Sequence, residues 1–204
     1  MNLLILAAGK GNRIYDKINT HKCLLKVKNK TLIEKIIDDA KEKNLFNKIY
    51  VVVGFKKNLI KEKLKKKKIN YVTNKSFNEK EMTHSLFLGL KQCTGDTVVC
   101  YSDIYFSKKI FKLINKNRVN NKIVLPVNLN WRKIWKVRKK KYKDDCETLK
   151  FNNKKTLTEI GNKIKNYNEV QGQYMGIFYI SKDIKKIFLN LLNYHSKKKK
   201  LHIT

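Results

Sequence analysis

Leu3-Leu4-Ile5-Leu6-Ala7-Ala8-Gly9-Lys10-Gly11-Asn12-Arg13 is the stretch on which the reading of this chain turns. Leu3 to Ala8 is an apolar run without polar alternation, the pattern of a strand buried on both faces of a parallel sheet. Gly9 and Gly11 then let the backbone turn tightly and come close to a ligand, where a Cβ would collide. Amide groups converging from such a loop bind phosphate oxygens, and Lys10, Arg13 and Lys22 add charge-assisted donors. The stretch predicts an anion cradle at the end of a strand. It lacks the Gly-Lys-Ser/Thr ending of a P-loop and the third glycine of a dinucleotide fingerprint. A bare Gly-x-Gly also fits a plain structural turn.

The rest of the chain bounds the setting. Its 204 residues, 42% of them hydrophobic, suffice for one substantial core. The formal net charge of +32 invites a nucleic-acid or membrane reading. Only Arg13, Arg118, Arg132 and Arg138 are arginine, however, and the excess is lysine spread from end to end beside abundant Asn and Ile. That mixture points to compositional bias, since specific nucleic-acid readers lean on arginine for bidentate contacts. Cys23, Cys93, Cys100 and Cys146 show no Cys-x-x-Cys spacing and no zinc-like histidine partners. Met1 and Asn2 lead straight into the first apolar run, and no run approaches a membrane span. A reduced, cytoplasmic protein without a specific nucleic-acid partner is the expectation.

Strand and helix patterns alternate. Thr31 and Glu34 form a capping box ahead of a helical pattern through Ile37. Ile49 to Val53, Ile69 to Thr73 and Thr97 to Tyr101 read as strands, and Leu59 to Leu64 and Thr83 to Leu90 as helices. This order predicts a single α/β domain, a mostly parallel central sheet with helices on both faces. Ligands of such sheets lie beyond the carboxyl ends of the strands. Gly9 to Arg13, Gly54-Phe55 and Ser102-Asp103 all follow strands and are expected to meet in one crevice. There Asp103 suits Mg²⁺, a hard cation that takes carboxylate and phosphate oxygens, or else it caps the next turn. Ile123 to Val127 reads as a further strand. Beyond it, Trp131, Trp135 and Arg138 suit a cage for an ammonium group with a cation for its phosphate, or the two indoles are core.

The string Leu6-Ala7-Ala8-Gly9-Lys10-Gly11-Asn12-Arg13 with Lys22 resembles the signature of nucleotidyltransferases that activate sugar phosphates and small phosphorylated alcohols, on a glycosyltransferase-A-like fold. The resemblance implies that Leu6 to Gly11 hold a triphosphate, that Arg13 and Lys22 stabilise charge as pyrophosphate leaves, and that Asp103 is a metal ligand. Asn74-Lys75-Ser76-Phe77 and Met82-Thr83-His84-Ser85-Leu86 are similar to the segment beside the nucleobase, which implies Thr83 and Ser85 at a pyrimidine edge. Those two side chains also suit helix capping. His84 departs from the asparagine more usual there, and one ring nitrogen replaces an amide in one hydrogen bond but not in two.

Asp144-Asp145-Cys146-Glu147, Leu157 to Lys163 and Gln171-Gly172-Gln173-Tyr174-Met175-Gly176 resemble a narrower branch, the cytidylyltransferases for phosphocholine-like and aminoethylphosphonate-like acceptors. That implies Asp144 and Glu147 facing an amine, Gln173 and Tyr174 beside the acceptor, and Lys163 near the phosphates. Without the resemblance, the aspartates read as a solvated turn and Lys163 as a surface lysine. Residues 1–110 would then form a nucleotide-binding half and 111–204 an acceptor-binding half. Members of the family continue, past the equivalent of Leu201-His202-Ile203-Thr204, into a segment whose Glu-x-Asp supplies a second metal ligand.

The expected activity is Mg²⁺-dependent transfer of a cytidylyl group from CTP to a small phosphate or phosphonate. Three alternatives stand beside it: a sugar-phosphate nucleotidyltransferase, a nucleotide-binding protein with little turnover, and a basic nucleic-acid binder. A homodimer is compatible with all of them.

Overall fold

The computed structural model describes residues 1–11, 19–42, 44–79, 82–138 and 146–201. The apolar run at the N-terminus is strand β1 (Asn2–Ala7), buried at every position. It lies between β4 (Lys48–Val53) and β6 (Thr97–Tyr101), parallel to both. A strand flanked on both edges and covered on both faces has no wet side, and this is why its sequence does not alternate. β5 (Asn70–Thr73) runs parallel to β4. On the other edge, β12 (Ile177–Ile180) is antiparallel to β6 and pairs with β7 (Ile123–Val124). The sheet order is β5-β4-β1-β6-β12-β7.

Helices cover both faces. The capping box forms at the start of α1 (Leu32–Glu42): Thr31 N–H donates to Glu34 Oε2 at 3.0 Å, and Glu34 N–H to Thr31 Oγ1 at 3.3 Å. This helix is joined to β2 (Lys26–Val27) and β3 (Lys30–Thr31), a short hairpin. α2 (Lys57–Lys63) follows β4. Leu4, Leu6, Val52, Val99 and Ile180 point to one face of the sheet. They pack there with Leu86 and Leu90 of α3 (Met82–Gln92) and Phe188 and Leu192 of α6 (Lys182–Leu201). Their alternates Leu3, Ile5, Val51, Val53, Val98 and Cys100 are buried on the other face. The apolar stripes of α1 and of α4 (Lys109–Asn117) are buried in turn, and Phe111 of α4 meets Phe46 and Phe106 edge to face.

The chain forms two compact units, Met1–Val124 with Gly176–Thr204, and Leu125–Met175. This division cuts across a boundary at residue 110, since α4, β7, β12 and α6 belong to the unit that carries the sheet. The expected strand over Ile123 to Val127 is broken: β7 stops at Val124, and β8 (Val127–Asn128) pairs instead with β11 (Gln173–Tyr174) in the second unit. Pro126 has no N–H to give a ladder and restricts the residue before it, so the strand ends there. The second unit also holds α5 (Trp131–Arg138) and the antiparallel hairpin of β9 (Glu147–Phe151) and β10 (Leu157–Lys163). Its core is Trp131, Cys146 and Val170, with Trp135, Ile164 and Tyr167 packed against them.

Candidate active site

In the sheet-bearing unit backbone hydrogen bonds tie the ends of β4 and β6 to that of β1. β1 leads through buried Ala8 to Gly9, Lys10 and Gly11, the last with φ +70°. Lys22 sits in the short turn Lys22–Leu24, and its side chain runs along Gly11: a Cβ there would stand 2.7 Å from Lys22 Cε and 3.1 Å from Cδ. The φ of +70° is what requires glycine here, since a Cβ would meet only the flexible end of Lys22, which can swing aside. The end of β4 closes on the same place. Phe55 N–H donates to the Ala8 carbonyl at 2.9 Å, and a Cβ on Gly54 would lie 2.8 Å from that oxygen and 2.8 Å from Phe77 Cβ. The Phe55 ring has Lys10 Nζ 6.0 Å and Lys56 Nζ 5.8 Å from its centroid. Lys56 Nζ also donates to the Asn19 carbonyl at 3.0 Å.

The third strand end is that of β6. Ser102 is buried and its N–H donates to the Leu6 carbonyl at 3.2 Å, while Asp103, the next residue, is exposed. The Cys23 thiol lies within hydrogen-bonding influence of Ser102 and the Coulombic reach of Asp103. Burial first and the Asp103 charge second push it up to about 12, so it stays a thiol. His21, the residue before Lys22, is buried in the same place. Desolvation holds its imidazole below the ordinary histidine value against the opposing pull of Asp103. The sequence reading passed over His21, because nothing in its neighbours along the chain announces that the turn carrying it folds beneath Gly9.

Beside these loops, Asn74 is buried, donates from Nδ2 to Ser85 Oγ at 2.9 Å and accepts Ser76 N–H at 2.9 Å. Its own N–H extends the β4–β5 pairing through the Val53 carbonyl. Ser85 is thus buried with its oxygen engaged by Asn74, and Thr83 is exposed in the first turn of α3. Since α3 begins at Met82, neither caps a helix starting at Ser85. Arg13 lies outside the described residues.

In the second unit, Trp131 is 2% exposed, and the Arg132 guanidinium covers its ring at 5.5 Å while donating to the Tyr167 carbonyl. Trp131 is therefore a core residue rather than a wall of an open cage: its face is already taken. Trp135 is half-buried and edge-on to it. Arg138 ends α5, with its side chain outside the described atoms, and Asp144 lies outside the described residues. Glu147 and Lys163 stand directly opposite each other in the β9–β10 register, next to an irregularity at Gly161, whose φ is +89°. A bulge there re-aims the end of β10. In β11, Gln173 and Tyr174 are half-buried, and the Gln173 side-chain amide nitrogen is shut from solvent with no hydrogen-bond partner among the described residues.

Residues 3–165 match the MobA-like NTP transferase domain. The chain belongs to this family. It is a nucleotidyltransferase by that membership, and curated relatives narrow the comparison. It is 33% identical over 190 residues to the CTP:phosphoglutamine cytidylyltransferase of Campylobacter jejuni, covering 89% of this chain and 73% of that one. It is 34% identical over 116 residues to the choline-phosphate cytidylyltransferase of Streptococcus pneumoniae, covering 55% of this chain and about half, 48%, of that one. The fold matches the solved CTP:phosphocholine cytidylyltransferase of Streptococcus pneumoniae with a TM-score of 0.67 at 20% identity, over 96% of this chain and 78% of that one. It matches the inositol-1-phosphate CTP transferase of T. maritima with a TM-score of 0.68 at 16% identity, over 91% and 72%.

Among the described residues, no three Asp, Glu, His or Cys side chains gather into a cation site. A cage made wholly of protein ligands is thus not what these residues offer. One exposed carboxylate at a strand end does fit Mg²⁺, which keeps several waters and takes one or two carboxylates together with substrate phosphates. No helix among the described residues is long and apolar enough to cross a membrane.

Proposed function

We propose that the protein transfers a cytidylyl group from CTP to a small phosphate or phosphonate carrying an amine or amide, with release of pyrophosphate. The observation that carries this reading is the seating of Lys22 along Gly11, which puts a cation into a backbone loop at the end of a buried parallel strand, one strand away from Asp103. Gly9 to Gly11 present amides to the triphosphate, and Lys22, with Arg13, stabilises the charge that grows on the leaving pyrophosphate. Asp103 would hold Mg²⁺ alongside the substrate, and the ion would supply charge neutralisation there. An ionised acceptor oxygen needs no general base, so catalysis by these residues is positioning and electrostatics.

The nucleobase is assigned to the segment of Gly54, Asn74, Thr83 and Ser85, and the names of the two curated relatives favour cytosine. The second unit is assigned the acceptor. The Gln173 amide nitrogen is a buried donor waiting for an acceptor atom, and such a group is costly unless a ligand satisfies it. Glu147 opposite Lys163 offers one group for an ammonium or amide and one for a phosphate.

A panel of the four common nucleoside triphosphates against phosphocholine, aminoethylphosphonate, phosphorylated amides and sugar phosphates, read by pyrophosphate release with and without Mg²⁺, tests the proposal. CTP with a nitrogen-bearing acceptor is expected to turn over, and Lys22→Ala and Asp103→Ala to lower the rate at least roughly 100-fold. Undiminished turnover in both variants overturns the site, and a sugar phosphate as the preferred acceptor overturns the acceptor assignment.

A further inference from the structure

The chemistry above leaves His21 without a task, although its ring joins three segments of the site. It is 3% exposed. Nδ1 accepts the Cys23 backbone N–H at 3.2 Å and so caps the turn that carries Lys22. A ring nitrogen that accepts a backbone N–H bears no proton, so the neutral imidazole carries its proton on Nε2. Nε2 is buried and, among the described residues, completes no hydrogen bond, while the backbones of Gly9 and Ala7 lie close enough to act on the ring. The ring stands 6.4 Å from that of Phe55, whose N–H is bonded to Ala8. One imidazole thus touches the Lys22 turn, the phosphate loop and the end of β4.

A histidine packed only for bulk would have both nitrogens satisfied or facing apolar atoms. Here one is bonded to the turn, and the other is buried without a hydrogen-bond partner among the described residues. A buried N–H without an acceptor is destabilising, so any movement of the loop that brings a carbonyl within reach is favoured. Gly11 of that loop lies along the Lys22 side chain.

We infer that His21 is a positioning residue, which clasps the Lys22 turn to the Ala7–Gly9 backbone and completes its Nε2–H bond to a loop carbonyl as a triphosphate draws the loop inward. This rests on the reading of the loop as the triphosphate site. His21 touches no substrate; it acts through Lys22.

Nitrogen-15 spectra of the histidine rings, with His21 assigned by its loss in His21→Asn, test the geometry in the intact protein. The expected species is the Nε2–H tautomer, with the Nε2–H proton moving downfield on addition of CTP and Mg²⁺. The Nδ1–H tautomer would overturn the clasp. Calorimetric CTP binding then tests the coupling. His21→Asn keeps an acceptor for Cys23 N–H and loses the Nε2 donor, so it is expected to melt within a few degrees of wild type yet bind CTP roughly 10-fold more weakly. Lys22→Ala is expected to lose roughly 10- to 100-fold. The double variant should fall within about twofold of Lys22→Ala alone, because a residue acting through Lys22 has nothing left to position. Losses that multiply, or a His21→Asn protein with wild-type affinity, overturn the inference while leaving the triphosphate site intact. Wild-type protein that binds no CTP overturns the site reading and this inference with it.

Discussion

A methyl group at residue 9 separates the needs of the fold from those of the ligand. In Gly9→Ala the new Cβ meets no atom of the described residues within 4 Å, and the φ at Gly9 lies outside the left-handed region. The folded backbone therefore accepts alanine. The unfolded chain loses freedom, and the fold should gain about 0.4–1 kcal/mol, or up to roughly 4 °C in melting temperature for a chain of this size. The open space beside Gly9 is where the reading puts phosphate oxygens, which must come to about 2.9 Å of the loop nitrogens. The methyl stands in that approach. Loss of one charge-assisted amide contact costs about 1.5–3 kcal/mol, roughly a 10- to 100-fold rise in Kd for CTP.

Urea unfolding and calorimetric titration of the same sample read the two effects together, and Gly54→Ala supplies the contrast. Its Cβ would press to 2.8 Å on the Ala8 carbonyl, a backbone atom that has nowhere to go. That variant should lose about 2–4 kcal/mol, from crowding and from the Phe55 to Ala8 bond together. Gly9→Ala with CTP affinity within twofold of wild type would refute the placement of the triphosphate on this loop. A Gly54→Ala protein as stable as wild type would refute the packing of the β4 end against it.

The second unit and the far end of the sheet give their own tests. Trp131→Ala should cost about 3–5 kcal/mol in urea unfolding, and Trp135→Ala, half-buried beside it, clearly less; equal costs would contradict the assignment of Trp131 to the core. Lys185 is a buried ammonium at the start of α6, bonded to the Cys93 carbonyl at 2.7 Å, the Gly95 carbonyl at 2.5 Å and Thr97 Oγ1 at 3.3 Å. Burial lowers its pKa in the folded state, with Cys93 and then Asp96 opposing the shift. In the window between that lowered value and its ordinary 10.5 the unfolded chain binds the extra proton, so this group makes stability rise with pH. Unfolding free energies measured across the alkaline range should carry that slope in wild type and lose it in Lys185→Met. An unchanged slope would mean that Lys185 is not desolvated.

How far the sequence can be read depends on whether a segment's environment is set by its own neighbours. β1 was legible because a central parallel strand is apolar at every position, and α1 because Thr31 and Glu34 cap each other across three residues. The break of the Ile123 to Val127 strand was missed although Pro126 announced it. β-branched residues on either side read as one run, and only the pairing of β7 with β12 and of β8 with β11 tells them apart. Trp131 shows the opposite limit. Two indoles and an arginine in eight residues suit a cage or a core equally well along the chain, and Arg132, lying on the ring, decides for the core.

The site divides in the same way. Gly11 and Lys22 were both legible as types, but that the Lys22 side chain lies along Gly11 is a tertiary fact. His21 is invisible from sequence because the groups that act on it lie at Ala7, Gly9, Phe55 and Asp103, far along the chain. Glu147 and Lys163 extend the point to the second unit. Sixteen positions separate them along the chain, and the antiparallel register of β9 and β10 makes them direct neighbours, opposite in charge, beside the irregularity at Gly161. If the two serve one bipolar acceptor, Gly161→Ala is the sensitive change. A φ of +89° is strained for alanine, and relief of that strain would swing Lys163 off its register with Glu147. The KM for the acceptor should then rise at least about 10-fold while CTP binding to Gly9–Gly11 stays as in wild type. Equal losses for both substrates would mean that the bulge shapes the fold and not the acceptor site.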